Sequence, residues 1–228
     1  FQPKKGFRVS IDSILLSSSI KEYSKCMEFG TGSGIIIIYL SKKFPNSKII
    51  GVEKNIELVK LANKNLLKNN INNINSKILC NDLFNKPFLQ EYNNKLDRVI
   101  MNPPYFISNN VIKSNNKFKA SARYESNINE WFEAAYKKLK PKGYMNFVFR
   151  TESLDLILSN LNGSWGEIKI FPLWPKVNVK SKLMILQAKK NAKSGVQILP
   201  GLILHNNDGS YTDACNSILN NKSDIQLD

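Results

Sequence analysis

The chain has 228 residues, which fits one elaborated domain better than two at roughly 150 residues each. Its 33 Lys and Arg against 18 Asp and Glu leave a net charge of +15, which favours a polyanionic partner, although frequent Asn and Ile also fit the codon bias of an AT-rich genome. Three separated cysteines without a CxxC pair argue against zinc and secretion, and the longest apolar run, 35–40, is too short for a membrane span, so a cytoplasmic protein without metal or membrane attachment is expected.

Apolar stretches alternate with helical patterns through the first two thirds, the mark of βα units and a mainly parallel sheet. Strands are predicted at 26–29, 48–53, 76–80 and 96–101. A helix over 34–44 separates the first two, and a second helix presents Leu58, Leu61, Ala62 and Leu66 on one face before an Asn-rich turn at 69–75. Pro103 and Pro104 end the fourth strand. The polar, basic segment 107–122 then has the position of a functional loop after a strand's carboxyl end. A helix over 131–139, stopped by Pro141 and Gly143, leads to a strand at 144–149. Strands at 168–173 and 183–188 have too little chain between them for a helix, so they are predicted to pair antiparallel.

Between the first predicted strand and helix lies Glu28-Phe-Gly30-Thr31-Gly32-Ser-Gly34, where glycines permit a tight turn and close backbone approach to a ligand. Glu53 ends the next strand 23 residues after Gly30, near the offset at which a carboxylate meets a ribose diol. The single-residue glycine spacing departs from the dinucleotide fingerprint GxGxxG. It resembles instead motif I of the class I S-adenosylmethionine-dependent methyltransferases, with Glu53 in the acidic second-strand position and Asn81-Asp82-Leu83-Phe84 resembling the next family element.

That resemblance implies a Rossmann-like α/β fold with a mainly parallel seven-stranded sheet, an antiparallel C-terminal strand and helices on both faces. It implies S-adenosylmethionine as cofactor, held by Gly30, Thr31, Gly32 and Gly34 along the methionine and ribose portions. Glu28 would orient the cofactor's amino group, and Asp82 with Leu83 would bind its adenine.

Asn102-Pro103-Pro104-Tyr105 follows the fourth predicted strand. An exocyclic amine conjugated to a ring is a poor nucleophile, because its lone pair is delocalised. The Asn102 side-chain oxygen and the Pro103 carbonyl would accept hydrogen bonds from its two N–H groups, proline fixing the carbonyl direction without a competing donor, while Tyr105 stacks on the base. Catalysis would then be positional and electrostatic. A base in folded nucleic acid must be unstacked to reach such a pocket, and Phe106 can help hold it.

This motif set resembles the Asn-Pro-Pro-Tyr amino-methyltransferases, which act on adenine N6, guanine N2 or release-factor glutamine. Gln2-Pro-Lys-Lys-Gly6-Phe-Arg8 through Asp12 to Leu16, Ala122-Arg123-Tyr-Glu125, the run 182–190 and Asp208-Gly-Ser-Tyr211-Thr212 narrow the resemblance. They are similar to the bacterial tRNA adenine-N6 methyltransferases that modify the base after the valine anticodon. Ser10-Ile11 stands where many members have Gly-Thr, and Glu28 where Asp is common.

The family pattern would place Asp12 near the cofactor's methionine end, a residue that otherwise reads as a helix N-cap. Arg123 reads as a tRNA contact or an ion-pair partner. Lys176, Lys180, Lys182, Lys189 and Lys190 form a candidate phosphate-facing stripe, and His205 reads as a loop residue rather than a metal ligand.

The expected organisation is a single methyltransferase domain over 1–228, with an N-terminal segment at 1–24, a catalytic core at 25–190 and an extension at 191–228. A monomer acting on tRNA is expected. The alternatives are a release-factor glutamine methyltransferase, disfavoured by the charge and by only 29 residues before Gly30, and a non-catalytic RNA-binding protein, which would not require the whole constellation. DNA remains a further substrate, although no extra target-recognition domain fits the length.

Overall fold

Parallel strands covered by helices on both faces must be apolar on both faces, and the strands that open each βα unit meet that demand. In the computed structural model, which describes residues 1–2, 10–71, 74–103, 128–161 and 163–227, the first strand β1 (Lys25–Phe29) is buried from Cys26 onward. The same holds for β2 (Lys48–Glu53) from Ile49 onward. Helix α1 (Ile11–Ser18) precedes β1, and α2 (Ile35–Lys43) and α3 (Ile56–Lys68) follow β1 and β2. Asn55 caps α3 by accepting from the Glu57 and Leu58 amides at 2.9 and 3.4 Å.

Strands β3 (Ser76–Cys80) and β4 (Leu96–Met101) complete the first half. A helix over 128–138, α4, buries Ile128, Phe132 and Ala135 at the i, i+4, i+7 positions of one face. Then come β5 (Leu139–Arg150), α5 (Leu154–Asn160), β6 (Trp165–Trp174) and β7 (Leu183–Lys190). Short strands β8 (Val196–Ile198) and β9 (Leu202–Ile203) and helix α6 (Asp213–Leu219) end the described chain.

Among the described residues all nine strands join one sheet in the order β3-β2-β1-β4-β5-β7-β6-β8, with β9 also on β6. Only β7 runs against the others, pairing Tyr144 with Lys189 and Arg150 with Leu183 on one side and Leu173 with Leu183 on the other. The predicted antiparallel pair is therefore β6 and β7, and the seven expected strands are extended by β8 and β9. One apolar layer packs α4, α5 and Phe88 onto the sheet, and the opposite layer packs α1, α2 and α6.

One boundary and one helix face differ from the sequence expectation. Pro141 and Gly143 do not separate helix from strand, because β5 runs through them. The register against β4 shifts between Leu96 and Arg98, Lys142 adopts φ +66°, and residues 140–142 are exposed, so proline sits in a bulge that needs no ladder donor. In α3 the buried face is Val59, Ala62 and Leu66, while Leu58 turns to the cavity described next.

Candidate active site

The carboxyl ends of β1, β2, β3 and β4 lie side by side, and the chain reverses direction just beyond each. A cavity of about 260 Å³ opens there, lined by Phe29, Gly30, Gly32, Val52, Glu53, Lys54, Leu58, Asn81, Asp82, Leu83, Phe84, Phe88, Asn102 and Trp131. The topology dictates its place. β1 and β4 are neighbours although far apart in sequence, and a crevice forms where strand order reverses.

The glycine loop is pinned to β2 by the Gly30 and Thr31 amides, which donate to the Val52 carbonyl at 2.8 and 3.0 Å. Gly30 holds φ +71°, and a side chain there would meet the Trp131 ring at 3.2 Å. Glu53 closes the loop from the other side. Its Oε2 accepts from the Gly32 amide at 3.0 Å and its Oε1 from Asn55 at 2.9 Å, so the carboxylate is fixed at the cavity wall with acceptor capacity remaining. Asp82 Oδ1 accepts from the Phe84 amide at 3.0 Å, which turns the chain after β3 and sets its carboxylate and Leu83 on the wall.

Glu28 is buried beneath the loop and accepts from the Thr31 hydroxyl. Burial pushes its carboxyl up to about 8, a rise opposed by the Thr31 bond and reinforced by the Glu53 charge. Neither Glu28, Thr31, Gly34 nor Asp12 lines the cavity itself. Asp12 is not an N-cap. Ser10 holds that position, and its hydroxyl donates to Asp12 Oδ2 at 2.9 Å in the first turn of α1.

Asn102 stands at the end of β4 with 9% exposure. Its Nδ2 donates to Ser13 Oγ of α1 at 2.8 Å, which fixes the amide plane, and its buried Oδ1 has no hydrogen-bond partner among the described residues. A buried bare acceptor is costly unless a ligand completes it. Pro103 is buried beside it. Pro104, Tyr105, Phe106, the 107–122 loop and Arg123 lie outside the described residues, as do most residues of the N-terminal motif from Gln2 to Arg8.

Sequence reasoning missed Ser13, Phe88 and Trp131. Phe29 packs edge-on against Phe88 and Trp131 at 5.6 and 6.3 Å between ring centres, an aromatic wall assembled from three distant segments. The lysine stripe also divides. Lys176, Lys180 and Lys182 lie at the cavity edge of the sheet, whereas Lys189 pairs with Glu167 at 2.9 Å at the other edge. Buried Lys190 bonds Asn94 Oδ1 and the Tyr136 and Leu139 carbonyls. His205 stacks on Tyr211 at 4.8 Å. No group of three or more potential metal ligands occurs among the described residues, and no helix among them is long and apolar enough to cross a membrane.

The seven-strand order, the single reversed β7 and a glycine loop opposed by an acidic strand end define a Rossmann-like class I methyltransferase. The chain belongs to the methyltransferase small domain family, whose model matches residues 8–165. It is 26% identical over 220 residues to a tRNA1(Val) (adenine(37)-N6)-methyltransferase of Haemophilus influenzae, covering 93% of this chain and 90% of that protein. It is 24% identical over 216 residues to the protein of the same name from Vibrio campbellii, covering 92% and 86%. A crystal structure of a predicted O-methyltransferase from Agrobacterium tumefaciens superposes with a TM-score of 0.78 at 17% identity, over 94% of this chain and 98% of that one, a likeness of fold. Family and fold together imply methyl transfer from S-adenosylmethionine.

The cavity suits that cofactor. A fixed carboxylate at Glu53 for a ribose diol, a second carboxylate at Asp82 and an apolar, aromatic wall for a nucleobase match its donor pattern.

Proposed function

We propose that the chain methylates the N6 amine of an adenine in tRNA, with the adenine that follows the valine anticodon as the favoured position. The observation that carries this reading is the bare Oδ1 of Asn102, held rigid by Ser13 at the mouth of the cofactor cavity. The names of the curated relatives and the charge of +15 support an RNA substrate over a protein one.

In this reading Glu53 accepts the ribose hydroxyls, Asp82 and Leu83 hold the cofactor's adenine, and Gly30, Thr31, Gly32 and Gly34 bring backbone to its ribose and methionine portions. Glu28 and Asp12 take its amino-acid end. S-adenosylmethionine, when bound, supplies an electrophilic sulfonium methyl. Asn102 Oδ1 and the Pro103 carbonyl accept from the target amine and turn its lone pair toward the methyl carbon, Pro104 stiffens that turn, and Tyr105 stacks on the base. The bonds to the amine strengthen as it gains positive charge, so they favour the transition state over the ground state.

The test is incubation of the protein with labelled S-adenosylmethionine and, separately, unmodified valine tRNA, other RNAs and a release factor, followed by mass spectrometry of the digests. N6-methyladenine beside the valine anticodon is expected. Methylglutamine in the release factor, with unmodified RNA, would overturn the substrate assignment.

A further inference from the structure

The sheet continues past the cavity, and its far half carries a second concavity on the same edge. A groove of about 780 Å³ lies at the carboxyl ends of β5 and β6 and the start of β7, lined by Trp174, Met184, the three cations Arg150, Lys180 and Lys182 and one carboxylate, Glu152, among others. Strands lie about 4.8 Å apart, so β7 and β6 stand two and three spacings, roughly 10 and 14 Å, from β4 and Asn102.

Trp174 is the feature that packing does not explain. It belongs to neither apolar layer, yet its indole is held firmly: Nε1 donates to the Pro200 carbonyl at 3.1 Å. Gly201 presses on the end of β6 so closely that a Cβ would meet the Pro172 carbonyl at 2.3 Å and Trp174 Nε1 at 2.7 Å. The 196–203 segment thus braces the half-exposed ring from one side. Lys180 and Lys182 are exposed beside it, and Arg150, 3.5 Å from Glu152, borders the groove. Val177 and Val179 stand 61% and 41% exposed between Lys176 and Lys180.

We propose that this groove binds single-stranded RNA adjoining the target base, with a neighbouring base stacked on Trp174 and its phosphates facing Arg150, Lys180 and Lys182. The proposal rests on the RNA-methylating reading above and extends it to a subsite. A rigid aromatic face rimmed by cations is the combination that unpaired nucleotides require, since stacking is tolerant of base identity and phosphates are bound by charge. The valines add apolar surface that sugar and base faces can cover. An acidic peptide would satisfy the cations but leave the indole face unmatched.

The test measures binding and turnover of the full chain with an RNA stem-loop whose unpaired loop contains adenine. Trp174→Ala is expected to weaken RNA binding about 10- to 100-fold while Trp174→Phe retains most of it. Cofactor affinity and kcat at saturating RNA should stay unchanged in both. Lys180→Ala combined with Lys182→Ala, both exposed and safe for folding, should lower the slope of log affinity against log salt by about 1.4, the share of two single-strand phosphates. An unchanged salt slope in the double variant would overturn the proposal even if Trp174→Ala failed to fold, and so would equal RNA affinities of wild type and a folded Trp174→Ala. Selective loss of release-factor methylation in these variants would assign the groove to a protein and also overturn it. Wild-type protein that neither binds nor methylates RNA would sink the functional reading itself, a result distinct from variants that leave an active enzyme's RNA affinity untouched.

Discussion

Asn102 divides its amide: the nitrogen donates to Ser13, and the buried oxygen has no partner among the described residues, which leaves it open for the target amine in the proposed reaction. Asn102→Ala is accordingly expected to cut kcat by at least about 100-fold, the scale of a lost transition-state hydrogen bond, with little change in cofactor Kd. Stopped-quench turnover beside cofactor titration checks this. Ser13 is a positioning residue, so Ser13→Ala should lower kcat about 2- to 10-fold with KM for RNA nearly fixed, and Ser13→Thr should recover most of it. Glu28 carries a pH signature. An acid whose value is raised by burial from 4.5 to about 8 stays protonated in the folded chain while the unfolded chain ionises. The folded state then binds more protons across that window, and stability falls as pH rises from about 5 to 8. Melting of the cofactor-free protein should show that decline, and Glu28→Gln should flatten it. The positions of Gly30, Gly32, Glu53, Asp82 and Asn102 on one cavity were legible because each follows or ends a predicted strand, within a few residues of its neighbour in motif. Ser13, Phe88 and Trp131 were not, because only the sheet order brings α1, the segment before β4 and α4 to one edge, and a lone Ser or Trp carries no spacing that reveals it.

Elements with strong periodicity were read correctly, whereas α1, α5, α6, β8 and β9 were not named. In α1 the serines blur the pattern: Ser17, Ser18 and Ser19 turn their hydroxyls back onto the carbonyls of residues 13, 15 and 16, which lets polar side chains be buried inside a helix layer. Strands of two or three residues, such as β8 and β9, are too short for alternation to register. The antiparallel β6–β7 pair was legible from loop length alone. Contact between elements also sets a further test. A Cβ on Gly51 of β2 would approach Ile37 Cδ1 of α2 to 2.3 Å and Thr31 Oγ1 of the glycine loop to 2.9 Å. Gly51→Ala should cost ~1–3 kcal/mol by overpacking, lowering Tm by roughly 2–10 °C. Because the loop is one of the two groups displaced, cofactor affinity should fall together with Tm.

On the scale of the molecule, charge is distributed more selectively than composition suggests. Lys190 is buried and serves as an internal tie, joining the turn before β4 through Asn94, the end of α4 through the Tyr136 carbonyl and the start of β5 through Leu139. Its charge sits at the carboxyl end of α4, where the helix dipole favours a cation. Lys190→Ala should strip three acceptors at once and lower stability by ~1–3 kcal/mol, read by denaturant melting, without altering RNA affinity in the native baseline. Part of the +15 is therefore structural, while among the described residues Lys180 and Lys182 are exposed at the cavity edge beyond β5. That division of the sheet has a consequence for kinetics. The cavity draws its walls chiefly from the ends of β1, β2 and β3, and the groove proposed for RNA from β5, β6 and β7, with Asn102, just past β4, between them. Two ligands that reach their seats from opposite halves need not wait for each other, so the enzyme should follow a random order of addition. S-adenosylhomocysteine is then expected to compete with S-adenosylmethionine while inhibiting noncompetitively against RNA.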